Sequence, residues 1–271
     1  MKLKLVKISA VFCAAVMILP CVTKATPVGT VDIALSGFGA HDIMEVWAAG
    51  YEGILGYAGV NMLDKTYGTN EGKIWPDGPI GAFCIEWAEV SSSSTLTYDV
   101  VMPEDGPVPT TLLGGTMGLS KAKYLQELWG RYFDPSWVGS GSFTYQQNTK
   151  AEAFSAAVWE IIHEDLPISP LGWDVTVDGT IGIRGFRATY LDTDMANNML
   201  HSLDGTGPRA DLRVFSYNGQ QDYIVLIPEP TTIALLGLGG AFSLLRRKKR
   251  KSILYTKYQI LDENQVSSIE T

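Results

Sequence analysis

Three cysteines and three histidines are all that the 271 residues contain. Cys13 and Cys21 fall in an apolar run near the amino terminus, so Cys84 stands alone in the remainder of the chain. A single thiol excludes an intramolecular disulfide framework, and no paired-cysteine spacing exists for a structural zinc site. The chain also lacks a phosphate-cradling glycine loop and the Gly-x-Ser-x-Gly turn of serine hydrolases. Cations are scarce where they would matter most. The first 25 residues carry +4 and the last 41 carry +4, so the 205 residues between them hold −16 of a total of −8. Such a surface repels nucleic acid and anionic membranes, and a nucleic-acid partner is not expected.

What is present begins with two apolar segments at the ends. Lys2, Lys4 and Lys7 precede an uncharged run from Ile8 to Val22, which closes on Thr23-Lys24-Ala25. That order is a basic region, an apolar region and a small-x-small cleavage site, so residues 1–25 read as a signal peptide. At the other end stand Pro228, Glu229 and Pro230, then fifteen uncharged residues from Thr231 to Leu245. Six cations follow: Arg246, Arg247, Lys248, Lys249, Arg250 and Lys251. A spanning helix usually needs about 20 apolar residues. Ile224 to Ile227 and snorkelling basic stems extend this one, and the basic run fits a cytoplasmic flank. The two prolines leave an extended, accessible backbone at the outer mouth.

This three-part tail resembles the PEP-CTERM sorting signal of exported proteins from Gram-negative bacteria that make extracellular polysaccharide. The resemblance implies transient residence in the inner membrane, processing by an exosortase-type protease near the tripeptide, and extracellular polysaccharide as a possible associate. One departure stands out: a polar extension, 252–271, follows the basic run. The chain therefore divides into 1–25 (signal peptide), 26–227 (exported body), 228–251 (sorting and anchor segment) and 252–271.

The body reads as α+β, mainly antiparallel strands in a sandwich-like or barrel-like arrangement with two to three packed helices, followed by a C-terminal transmembrane helix. Strands are expected over 31–36, 82–87 and 96–102. A hairpin is expected over 212–217 and 222–227, joined at Asn218-Gly219. One helix is expected over 120–133 with Ser120 as its cap, carrying Tyr124, Leu125, Leu128, Trp129 and Tyr132 on one face. A second is expected from about Thr149, with Thr149 and Glu152 as a capping box and Phe154, Ala157, Val158, Ile161 and Ile162 as its core stripe. A third is expected over 193–203.

Two segments, Gly81-Ala-Phe-Cys84-Ile-Glu86 and Ala153-Phe-Ser155-Ala-Ala-Val-Trp159-Glu160, are similar to the paired motifs of bacterial thioester domains. In that family a strand cysteine is joined to a helix glutamine four residues before a tryptophan, and the acyl thioester captures a surface nucleophile. Cys84 and Trp159 fit the pattern, but Ser155 stands where the glutamine belongs. A hydroxyl offers no carboxamide to attack, so Cys84, Ser155 and Trp159 are expected to be unreactive. Gln146 and Gln147 are the upstream substitutes.

Candidate chemistry elsewhere is thin. Glu86 and Glu160 form a conceivable carboxylate pair, and Glu160-Ile-Ile-His163 has the spacing of half a di-metal site with no second copy. His41 and His201 are isolated. Asp192-Thr-Asp194 and Asp204-Gly-Thr-Gly207 faintly resemble calcium loops without the full oxygen series. No catalytic residue, metal site or cofactor is assigned, with calcium left open. The preferred reading is a non-enzymatic envelope or matrix protein. The alternatives are a covalent adhesin using Cys84 and a secreted glycan hydrolase.

Overall fold

The computed structural model describes residues 26–48, 50–87, 89–108, 115–177 and 185–228. Among the described residues there are seven strands and three α-helices: β1 Gly29–Ala48, β2 Tyr51–Asn70, β3 Gly78–Cys84, β4 Leu96–Val101, α1 Gly118–Tyr132, α2 Tyr145–His163, β5 Arg187–Thr189, α3 Thr193–His201, β6 Leu212–Ser216 and β7 Tyr223–Leu226. Every strand pairing is antiparallel. The order is β2-β3-β7-β6-β4-β1-β5, and β2 also pairs with β1. Six strands therefore close into a ring, and β5 extends the far end of β1. Closure satisfies backbone donors that an open sheet edge would present to solvent. The expected α+β class with a mainly antiparallel, barrel-like sheet is the class observed. The expected transmembrane helix lies outside the described residues, among which no helix is long and apolar enough to cross a membrane.

The largest departure from the sequence reading is β2, a 20-residue strand that pairs along nearly the whole of β1. Its outer half exposes Tyr51, Ile54, Leu55 and Tyr57, while its inner half is buried almost continuously from Ala58 to Leu63. Neither half alternates cleanly, so period-2 patterning does not show it. Both strands also bend. The register slips between Phe38 and His41, opposite Gly59, which sits at φ 142°. A Cβ on Gly59 would lie 2.3 Å from the Ala40 carbonyl oxygen, so only glycine permits this approach.

Helix α2 is the centre of the molecule. Every residue from Ala151 to His163 is buried, as expected of a helix enclosed on all sides rather than one with a single apolar stripe. It starts four residues before Thr149. Thr144 and Gln147 form the capping box, and Thr149 only returns its hydroxyl to the Tyr145 carbonyl. Helix α1 likewise begins before the expected Ser120, at Gly118, without a side-chain cap. Its Lys121 is buried and donates to the Ile162 and Glu164 carbonyls at the end of α2, which ties the two helices together. Phe83 of β3, Trp129 of α1 and Phe154 of α2 pack with ring centroids 4.7–5.4 Å apart, joining barrel to helices.

Helix α3 ends at His201, two residues earlier than expected. The 212–217 and 222–227 hairpin forms as β6 and β7, slightly trimmed. The remaining strands are likewise shifted: 31–36 is the start of the longer β1, 82–87 becomes β3 ending at Cys84, and 96–102 loses its last residue.

Candidate functional site

Cys84 ends β3 and pairs with Tyr223 of β7. Its carbonyl accepts a hydrogen bond of 2.9 Å from the Trp159 indole on α2, so the strand and the helix meet at the two motif positions. Burial pushes the Cys84 thiol up to about 12, against opposing hydrogen bonds from the Trp159 and Asn61 side chains. A thiol held so far above neutrality carries almost no thiolate and is a poor nucleophile. Ser155, one helical turn before Trp159, is fully buried and its hydroxyl has no hydrogen-bond partner.

The substitute glutamines are placed elsewhere. Gln147 is engaged with Thr144 and Ser136, and its twelve-residue separation from Trp159 corresponds to roughly 18 Å along the helix axis. Gln146 lines a cleft at the amino-terminal end of α2. We expect native protein to resist alkylation at Cys84 and denatured protein to take up one equivalent, with an intact mass showing no loss of ammonia. A mass short by one ammonia would restore the thioester.

The other sequence candidates are held by burial or by backbone groups. Glu160 is buried and accepts from the Asp174 amide at 2.9 Å, whereas the groups acting on Glu86 are Glu89 and Asp222. Burial, Asp222 and Glu89 hold the Glu86 carboxyl up at about 8. Burial pushes the His163 imidazole down to about 3, which keeps it neutral. The ring of His41 bonds the Gly39 carbonyl, and that of His201 the Trp173 carbonyl.

In the two acidic loops the groups are engaged within the fold. Asp192 caps α3 by accepting from Met195. In the 204–207 loop the amides of Asp204, Gly205 and Gly207 all donate to the buried Glu127 carboxylate, which Arg131 also holds at 2.7 Å. A loop that points donors inward suits an anion, and Glu127 is that anion. Among the described residues, no group of three or more His, Cys, Asp or Glu could hold a metal ion.

One site was not visible in the sequence. Helix α2, the outer part of β1 and the start of α3 enclose a cleft of about 500 Å3, lined among others by Asp42, Tyr145, Glu152, Tyr190 and Asp192. Glu152, expected as a cap, is instead 3% exposed, and its Oε1 has no hydrogen-bond partner. Burial, then Asp42 and Asp192, hold its carboxyl up at about 8. Tyr145 and Tyr190 are exposed, and Tyr190 takes a left-handed backbone at φ 67°, a conformation that strains a side-chain-bearing residue. A charged residue inside the run Ala151-Glu152-Ala153-Phe154 was the one available signal. A second cleft of about 700 Å3, with Arg131, Asp134, Lys150 and Asp194 in its lining, shares Asp192 and Met195 with the first.

The tail meets the body at β7. The Leu226 carbonyl accepts from the Trp75 indole at 2.8 Å and the Ile227 amide donates to Asp211 at 2.9 Å, so the chain is fixed up to the tripeptide. Pro228 is half-buried there; Glu229, Pro230 and the basic residues 246–251 lie outside the described residues, as does the 1–25 segment. Residues 226–251 match the PEP-CTERM protein-sorting motif. No curated protein and no solved structure matches the chain. The motif marks an exported protein with a C-terminal sorting signal, processed by an exosortase.

Proposed function

We propose that this protein is delivered to the envelope or the extracellular polysaccharide matrix, where its body acts by binding and not by catalysis. In this reading residues 1–25 direct export, 228–251 hold the protein in the inner membrane, and exosortase cleavage near Pro228-Glu229-Pro230 frees a body spanning 26–227. The observation that carries it is the position of the sorting motif. It begins where β7 ends, after the last strand of the closed ring has been laid down. Every described element lies amino-terminal to the tripeptide, so cleavage there removes no part of the barrel or helices.

A binding role draws on the acidic cleft, with its exposed tyrosines, and on the unreactive surroundings of Cys84. The covalent adhesin loses its support because neither Gln146 nor Gln147 is near the thiol. The test is fractionation of cells with and without the exosortase. We expect release of a body ending close to Pro230 only when the exosortase is present. Membrane retention in both strains would reduce the tail to an anchor.

A second reading, a glycan hydrolase, rests on Glu152. A protonated acid beside two exposed aspartates resembles the division of labour in glycoside cleavage. It requires new reducing ends when the protein is incubated with matrix polysaccharide, and their loss in Glu152→Gln.

A further inference from the structure

We infer that the cleft between α2, α3 and the outer part of β1 is a binding site for a primary ammonium group, seated on Glu152 between Asp42 and Asp192. Three carboxyl groups line it, and none of its lining residues is basic. That composition rejects phosphates, sulfates and uronic acids, because no donor of opposite charge is present to receive them. Glu152 lines the cleft from an almost wholly buried position, and its Oε1 lacks a partner, which leaves an unsatisfied acceptor in the cleft wall. Asp42 and Asp192 stand exposed nearby and add like charge. An arriving cation satisfies the orphaned oxygen and offsets the charge of Asp42 and Asp192 in one step.

The spread of the carboxyls decides which cation. No three acids among the described residues are gathered tightly enough to ligate a metal ion. A larger organic ammonium, with three donors pointing in different directions, suits carboxyls set further apart. Tyr145 and Tyr190 supply aromatic faces at the rim, suited both to the cation and to the apolar face of a carrier ring. Gln146 also lines the cleft and can hydrogen-bond a hydroxylated carrier. The neighbouring cleft continues past Asp192 and Met195, so the carrier can be a chain longer than one unit.

Two sources carry this chemistry: an amino-sugar polymer with free amines, or a soluble polyamine. The ammonium site stands independently of the matrix-binding reading above; only the choice of an amino-sugar source rests on it. Binding also moves a proton. Glu152 is held protonated near neutrality, and an ammonium ligand favours its carboxylate, so one proton leaves Glu152 for solvent as the ion pair forms. Tyr145 on α2, Tyr190 before α3, Asp42 on β1 and Asp192 at the α3 cap are the titratable groups around it.

The experiment is calorimetric titration of the full-length chain in detergent at pH 6, where the probe amines arrive largely as ammonium and Glu152 is still protonated, in two buffers of different ionisation enthalpy. The probes are glucosamine tetramer, its N-acetylated counterpart and spermidine. We expect the glucosamine tetramer to bind with release of about one proton and the N-acetylated tetramer to fail. Glu152→Gln should weaken binding about tenfold or more and abolish the proton release. Should Glu152→Gln not fold, Asp42→Asn at the exposed rim serves instead, with about threefold weakening. Spermidine binding as tightly as the tetramer, with the same proton release, upholds the ammonium site and makes a polyamine the source. Equal binding of the N-acetylated and free-amine tetramers overturns the ammonium site while leaving glycan binding intact. Failure of both amines to bind overturns it as well, and exosortase-dependent release is scored separately.

Discussion

Replacing Trp159 with alanine is expected to lower the unfolding free energy by about 4–5 kcal/mol. For a body of this size that is a fall of roughly 10–15 °C in the midpoint. Trp159 is fully buried on the central helix, and its ring lies against Trp87 at 5.0 Å and Phe186 at 5.9 Å. Its indole also holds the Cys84 carbonyl at the end of β3. Alanine empties the space beside a helix already enclosed on all sides and leaves that carbonyl without its donor. Trp159→Phe keeps most of the ring and loses the hydrogen bond, and should cost about 2 kcal/mol. Urea unfolding of both variants measures the difference. A loss under about 1 kcal/mol for the alanine variant would show that barrel and helix are not joined through this residue.

Lowering the pH from 8 to 5 is expected to stabilise the protein, by on the order of 3 kcal/mol after discounting the nominal shifts for solvent screening. Three carboxyl groups have native values raised above the ordinary range: Glu86 and Glu152 to about 8, and Asp222 to about 7, each chiefly through burial. Between the ordinary carboxylate range and these values, the native state holds protons that the unfolded chain has released. Stability therefore falls as pH rises through that window and is regained on acidification.

His163 opposes this below about 6.5, because the unfolded chain takes up a proton that the buried imidazole refuses. It is one group against three. Lys121, lowered to about 8, acts only above that pH, and the lowered Asp134, Asp174 and Asp204 act only below the ordinary carboxylate range. Thermal unfolding across pH 5 to 8 checks the sign. A midpoint that rises steadily with pH would mean the three carboxyls are ionised in the native state.

Legibility in the sequence followed the range of the interactions concerned. The β6–β7 hairpin was readable because Asn218-Gly219 sets its turn locally, and α1 because Tyr124, Leu125, Leu128, Trp129 and Tyr132 share one face. The long β1–β2 pair was not. Its outer half keeps large apolar residues in solvent, and its bends depend on Gly59 facing a particular carbonyl on the partner strand. The cap of α2 was misplaced for a related reason. Thr144-Gln147 and Thr149-Glu152 are both plausible boxes by spacing, and propensity does not choose between them. The structure uses the first, and Glu152 lies inside the buried stretch of the helix instead.

The sequence by itself determined the sorting motif. A tripeptide, apolar run and basic stop are linear features, read by cellular machinery as linear features, so no fold is needed to recognise them. It also determined that Ser155 cannot replace a glutamine, since that is a matter of which atoms the side chain has. Only the tertiary structure decided where the body's acids are put to use. Charge along a chain says nothing about distance, and Asp42, Glu152 and Asp192 become one site because a closed barrel and a buried helix bring them to the same cleft.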